Sequence, residues 1–188
     1  NPITDARGRA VKVVEYATDI TDQKLRNADF EGQLAAIDKA QAIIEFDLDG
    51  TVRTANDNFL RALGYSLEEI RGRHHRTFVD AEAAAGEEYR AFWRKLGRGE
   101  FDSGLYKRLG KDGRAIWIQA SYNPILDASG RPYKVVKYAS DVTAQVLLAQ
   151  QLKEAVTQSQ EAVKLAIDGD LTRRIPLDGK TGEIEALC

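Results

Sequence analysis

The sequence predicts an α+β domain: a five-stranded antiparallel sheet with short helices on one face, flanked by long linker helices. Two observations carry this. Over residues 43–143 the apolar spacing alternates between strand and helix periods, in the order strand, strand, helices, strand, strand, strand. The chain also contains a near-duplication. NPITDARGRAVKVVEYATDIT at 1–21 returns as NPILDASGRPYKVVKYASDVT at 123–143, with about two thirds of the positions identical. Each copy reads as a strand end, a polar turn containing glycine, a β-rich strand and a closing Asp-x-Thr.

Within residues 43–143, AIIEFDLDGTVRTAN reads as two short strands around Asp49–Gly50, a strong hairpin signal. DNFLRALGY predicts a short helix with Phe59, Leu60 and Leu63 on its apolar side, stopping at Gly64. Ser66 and Glu69 stand at capping-box spacing and open another one-to-two-turn helix. AEAAAGEEYRAFWRKLGRG predicts one longer helix ending at Gly97–Gly99. Three strands then follow, SGLYKRLG, RAIWIQASYNPI and RPYKVVKYA, separated by the turns KDG and DASG.

Composition narrows the function. The chain has 188 residues and a formal net charge of −2, with no basic excess for nucleic acid or an anionic membrane surface. Its single cysteine is Cys188, so a disulfide framework or cysteine zinc site is excluded, as suits a reducing cytoplasm. No apolar run approaches the ~18 residues of a membrane span. No phosphate-binding glycine loop or nucleophile–base pair stands out, so the chain reads as a non-enzyme. It begins at Asn1 and lacks methionine, and is expected to be an interior piece of a longer protein.

The segments DLDGTVRTANDNF, LGYSLEEIRGR, LYKRLGKDGRAIWIQASYNPILDASG and DVT, in that order and spacing, resemble the PAS sensor domain. The wording is similar to the tandem PAS domains of bacterial methyl-accepting chemotaxis proteins. The resemblance implies a five-stranded sheet whose concave face and short helices enclose a small cavity. It divides the chain into the end of a preceding PAS domain (1–21), a linker helix (22–42), a complete PAS domain (43–143), a coiled-coil or first HAMP helix (144–168), and a truncated HAMP connector (169–188). In the helix after 143, Leu148, Leu152, Ala155, Ser159, Ala162 and Ala166 alternate in steps of four and three, the seam of a parallel coiled coil. Asp19 with Thr21, and Asp141 with Thr143, match the Asp-x-Thr closing such domains. There threonine can cap the outgoing helix and aspartate can anchor the last strand, making a signal joint.

The stretch RGRHHRTFVD holds both histidines, His74 and His75. Neighbours on a helix or strand diverge, so the pair is a poor chelate for one ion, and no cysteine or third histidine completes a zinc site. The light-sensing PAS branch carries a reactive cysteine where His75 stands, and flavin-binding asparagines where Arg108 and Ile118 stand, which excludes that photochemistry. The same comparison turns Tyr106, Arg108, Ile116, Ile118, Ala120 and Tyr122 inward, and Trp117 and Gln119 outward. Heme needs one axial imidazole, for which His74 or His75 is the candidate. FAD would involve Trp93. No tightly bound cofactor is the third reading. The expected partners are a second copy through the helical linkers, a downstream signalling domain, and a chemotaxis kinase and adaptor complex. The function that follows is a cytoplasmic module detecting a small ligand, gas or redox state. The alternatives are a cofactor-free dimerising relay, or the sensor of a histidine kinase or cyclase.

Overall fold

The computed structural model describes residues 2–13, 15 and 17–167. It forms two compact units, Asn1–Ala40 and Gln41–Cys188. In the first, β1 (Pro2–Thr4) and β2 (Ala10–Val13) form an antiparallel hairpin, and α1 (Thr21–Ala40) buries no residue. The connector expected over 169–188 lies outside the described residues.

The second unit runs β3 (Ala42–Phe46), β4 (Val52–Ala55), α2 (Asp57–Leu63), α3 (Leu67–Ile70), a 3-10 turn (His75–Phe78), α4 (Ala81–Ala85), α5 (Glu87–Gly97), β5 (Asp102–Leu109), β6 (Ala115–Leu126), β7 (Pro132–Asp141) and α6 (Thr143–Ile167). The five strands pair antiparallel in the order β4-β3-β7-β6-β5. One face of this sheet carries Ile44, Phe46, Ile116, Ile118, Ala120, Tyr122, Val135 and Ala139, all buried against Phe59, Leu63, Ile70, Phe78, Trp93 and Leu96 of the helical layer. The alternation in β6 follows from the two-residue period of a strand.

The repeat seen in the sequence is also a repeat in register. Pro2, Ile3 and Thr4 pair with Val13, Lys12 and Ala10, while Pro124, Ile125 and Leu126 pair with Val135, Lys134 and Pro132. The turns match as well: Asp5 accepts the backbone N–H groups of Arg7 and Arg9, and Asp127 accepts those of Ser129 and Arg131.

Local chemistry explains the helix ends. Asn56 Oδ1 accepts the Phe59 N–H as an N-cap and also the Ile43 N–H, so one side chain starts α2 and ties it to β3. Gly64 ends α2 in the left-handed conformation. Ser66 and Glu69 form the expected capping box, and Glu69 also pairs with Lys111. The single helix expected over AEAAAGEEYRAFWRKLGRG is instead two. Gly86 adopts extended backbone (φ −69°, ψ 160°) between α4 and α5, because glycine pays the highest entropic cost in a helix and the short Ala-rich turn before it buries no residue.

The RGRHH loop is stitched to the β3–β4 hairpin. Val52 N–H donates to the Arg73 carbonyl, Gly72 N–H to the Val52 carbonyl and His75 N–H to the Gly50 carbonyl. Gly50 has φ +90°, and a Cβ there would lie 2.9 Å from the His74 ring and 2.9 Å from Trp93. Gly50→Ala is therefore expected to lower stability by about 1–3 kcal/mol through backbone strain and overpacking. Urea unfolding checks this, and an unchanged midpoint would contradict the close approach.

Candidate functional site

Edge-on packing between aromatic rings is favourable, and a polar atom buried among them must find a hydrogen-bond partner. His75 meets both conditions. It has no exposed surface and stands between the Phe46, Phe92, Trp93 and Tyr122 rings at centroid distances of 5.3–6.2 Å. Its Nδ1 lies 2.9 Å from the Tyr89 hydroxyl and its Nε2 3.0 Å from the Tyr122 hydroxyl. The pair is thus split: His75 is core, whereas His74 is half-buried beside Asp49 and Arg76 on a surface cleft of about 610 Å³.

The direction of each bond follows by elimination, starting from the obligatory donor. Arg108 Nη2 donates to the Tyr122 oxygen at 3.0 Å. Tyr122 then gives its own hydrogen to His75 Nε2, and a neutral His75 carries its proton on Nδ1 and donates to Tyr89. Tyr89 is left to donate to His74 Nδ1 at 3.4 Å, an atom that also accepts the Arg76 N–H at 3.1 Å. The bonded chain ends at His74, beside Asp49 on the cleft. Five side chains, from β5, β6, the 3-10 turn and its N-cap His74, and α5, therefore form one oriented hydrogen-bonded chain, running from the inner sheet face to the cleft.

Burial and charge together enforce the neutral state. Burial, then the positive charges of Arg108, Lys137 and His74, hold the His75 imidazole well below its ordinary value of 6.5. His74 is lowered by partial burial and by Arg76, against an opposing pull from Asp49. Burial pushes the Tyr89 and Tyr122 phenols up, and for Tyr122 Arg108 opposes that rise.

The sequence pointed to most of these positions but missed Lys137. It lies in β7 opposite Tyr122 and Ile44, is 2% exposed, and places its ammonium 4.9 Å from the Tyr122 ring centroid and 5.8 Å from that of Phe59. Burial and Arg108 drive its pKa well below 10.5. The signal was present as parity: Val135, Lys137 and Ala139 alternate on one face, and the buried members frame a lysine.

The remaining expected residues fall in different places. Ile116 and Ile118 are core beside Tyr122. Trp93 is buried but also borders the cleft of His74. Tyr106 and Arg108 border a second cavity of about 350 Å³ with Tyr89 and Phe92, and Arg108 lies 4.8 Å over the Tyr106 ring. Desolvation, reinforced by the Asp102 carboxylate that accepts its hydroxyl, raises the Tyr106 phenol. Asp141 and Thr143 meet at the exit from the sheet. Thr143 Oγ1 accepts the Trp117 N–H at 2.9 Å and donates to Asp141 Oδ1 at 2.6 Å, while Asp141 Oδ1 also accepts the Thr143 N–H. In the first unit Asp19 Oδ1 likewise accepts the Thr21 N–H. For heme, the donor set is unfavourable at His75: both ring nitrogens are engaged, so an axial bond would require the release of Tyr89 or Tyr122. His74 is engaged at Nδ1 by the Arg76 N–H. Among the described residues no group of three or more His, Cys, Asp or Glu could hold a metal ion. No helix of the described residues is long and apolar enough to cross a membrane.

Two substitutions test the network. The folded value of His75 lies below its unfolded value, so its contribution is complete above about pH 6.5 and is lost as pH falls toward the folded value. The protein is expected to lose stability from about pH 6.5 to 5, above the range where carboxylates titrate. His75→Phe should be about 1–3 kcal/mol less stable at neutral pH and show a shallower slope in that window; equal slopes would assign the titration elsewhere. Lys137→Met removes a buried cation while keeping its length, and should raise stability by about 1–3 kcal/mol. A destabilised variant would show that the ammonium is better compensated than its surroundings indicate.

Residues 52–139 match the PAS fold family. The chain is 45% identical over 143 residues to the biofilm dispersion protein of Pseudomonas aeruginosa, covering 76% of this chain and 34% of that protein. It is 33% identical over 82 residues to the aerotaxis receptor of Escherichia coli, covering 43% of this chain and 16% of that receptor. The chain thus spans about a third or less of the length of these relatives. The solved structure of an RNA-binding light-oxygen-voltage receptor superposes with a TM-score of 0.59 at 26% identity, covering 80% of this chain and 42% of that one. Sheet order, inward-facing aromatic core and these likenesses agree: this chain carries a PAS sensor domain, related to those of an aerotaxis receptor and a biofilm dispersion protein.

Proposed function

We propose that this chain is the sensory and relay section of a chemotaxis-receptor-like protein. The PAS domain detects a small ligand, gas or redox state, and α6 carries the change away as one strand of a parallel two-helix coil. The connector at 169–188 then hands it to a HAMP module, a downstream signalling domain and a chemotaxis kinase and adaptor complex. Residues 1–21 are the end of a preceding PAS domain in this reading, joined by the linker helix. The protein works in the cytoplasm and is not itself an enzyme.

The observation that carries this reading is the joint at Thr143. That residue is the first of α6, yet its hydroxyl accepts the N–H of Trp117 near the start of β6. A displacement of β6 therefore acts on the helix start through the Trp117–Thr143 hydrogen bond, with the Thr143 hydroxyl held in place by its own bond to Asp141, not through a slack linker. The exposed apolar residues Leu148 and Leu152, at the start of the seam, support pairing with a second copy. Such coupling works only where the ligand binds two states of the sheet unequally.

A cofactor-free sensor is the version favoured by His75, because its two nitrogens already have partners and the inner sheet face is filled by side chains. Heme through His74 or a flavin near Trp93 is the alternative, and a visible or near-ultraviolet absorption band in purified protein would establish it. Sedimentation of the 188-residue chain tests the helical pairing: a dimer is expected, and Leu152→Glu should convert it largely to monomer by placing two carboxylates in the seam. A chain that sediments as a monomer before substitution would remove α6 as the pairing element.

A further inference from the structure

We propose that the cavity between α5 and β5 binds a small aromatic carboxylate, with the Arg108 guanidinium as its anion anchor and the Tyr89, Phe92 and Tyr106 rings as its walls. This rests on the sensory reading and names its ligand class. The cavity measures about 350 Å³, a size that suits a single-ring acid.

Arg108 is only 9% exposed, and its Nε–H is buried without an acceptor among the described residues. Its other bonds go to neutral atoms: Nη1 to the Lys107 carbonyl and Nη2 to the Tyr122 hydroxyl. A guanidinium presents five donors in a planar fork matched to a carboxylate. The buried residues on and against the inner sheet face are apolar or aromatic apart from Arg108 itself, His75 and Lys137, a second cation, and the carboxylate that alternation places on the same face of β5, Asp102, makes no bond to Arg108. Nearby carboxylates are engaged elsewhere. Asp102 binds Lys95 and the Tyr106 hydroxyl, and Glu87 pairs with Arg90 and Arg94. Glu88 stays exposed at the rim. An occupant with one anionic end and a flat apolar body satisfies both the cation and the rings, whereas a second charge would meet aromatic faces and Glu88.

Binding also reaches the hydrogen-bonded chain. A carboxylate that draws Arg108 toward itself competes with the Tyr122 oxygen for the guanidinium. Tyr122 is then released from its obligatory acceptor role, and the orientation of the bonds through His75 to Tyr89 is no longer imposed. The ligand thereby has different contacts in two states of the inner face, as signalling requires.

Isothermal titration of the 188-residue chain with benzoate, benzamide and inorganic phosphate tests the site. Benzoate should bind, and uncharged benzamide of the same shape should bind roughly tenfold more weakly or worse, with phosphate failing to compete. Arg108→Gln should weaken benzoate by roughly tenfold or more. Ala83→Trp, which fills the cavity from the exposed rim of α4 without altering the bonded chain, should do the same with an unchanged circular dichroism spectrum. Equal affinity for benzamide, effective competition by phosphate, benzoate binding retained in both variants, or no benzoate heat at millimolar concentration would each overturn the proposal. Sedimentation of the same samples separates the two readings: a dimer inert to benzoate loses the ligand class and keeps the sensory role.

Discussion

The imidazole of His75 is held by a tyrosine on α5 and a tyrosine on β6, with no water-exposed surface to substitute for either. A neutral imidazole has one donor and one acceptor, so it can be satisfied here only if its two partners play opposite roles. Arg108 decides which is which, because a guanidinium cannot accept. The whole network therefore inherits its polarity from one cation at the edge of the sheet. The 3-10 turn, the long helix and the central strands meet at this ring, and the position of each is constrained by whether the ring's bonds can be kept. Gly50 belongs to the same constraint, since its missing side chain lets the β3–β4 turn approach His74 and Trp93.

The interior of the domain is unusual in its charge. Ion pairs lie at partly or fully exposed positions, such as Lys134 with Glu45 across β7 and β3, while the buried part of the inner face holds two cations among rings. Aromatic faces offset part of the desolvation of Lys137, but a ring quadrupole is a weak substitute for a carboxylate. Such an interior stays stable with the lysine neutral or an anion nearby. Burial first, and repulsion from these cations second, keep the histidine at its centre unprotonated.

Much of the fold was legible because it is local. Asp49–Gly50, Gly64 and the Ser66–Glu69 box are short-range signals, and each marks an observed turn or cap. The resemblance to light-sensing PAS domains also turned Arg108, Ile116, Ile118 and Tyr122 inward, and all four are buried. The break at Gly86 was hidden by flanking helix formers whose propensities favoured continuation. The surroundings of His75 were not legible for a different reason. The sequence offered it as a candidate heme ligand, and only the tertiary arrival of Tyr89 and Tyr122, 14 and 47 residues away, engages both of its nitrogens in the core. Lys137 shows the same limit, because a lysine between Val136 and Tyr138 reads as an outward residue until the helical layer closes over it.

The strand order carries a consequence for how the domain is made. β4 and β3 form one ribbon, β6 and β5 another, and β7 is the strand that joins them. Its pairing with β3 closes a loop from Ala42 to Ala139, a long-range contact of the kind that slows folding. On a ribosome both ribbons emerge before the strand that unites them, so the inner face stays open until Asp141 is synthesised. Thr143 follows within two residues and ties the sheet to the helix. The sensor and the start of its output helix thus complete their structure in a single late event, and a chain ending before β7 would have two half-sheets and no core.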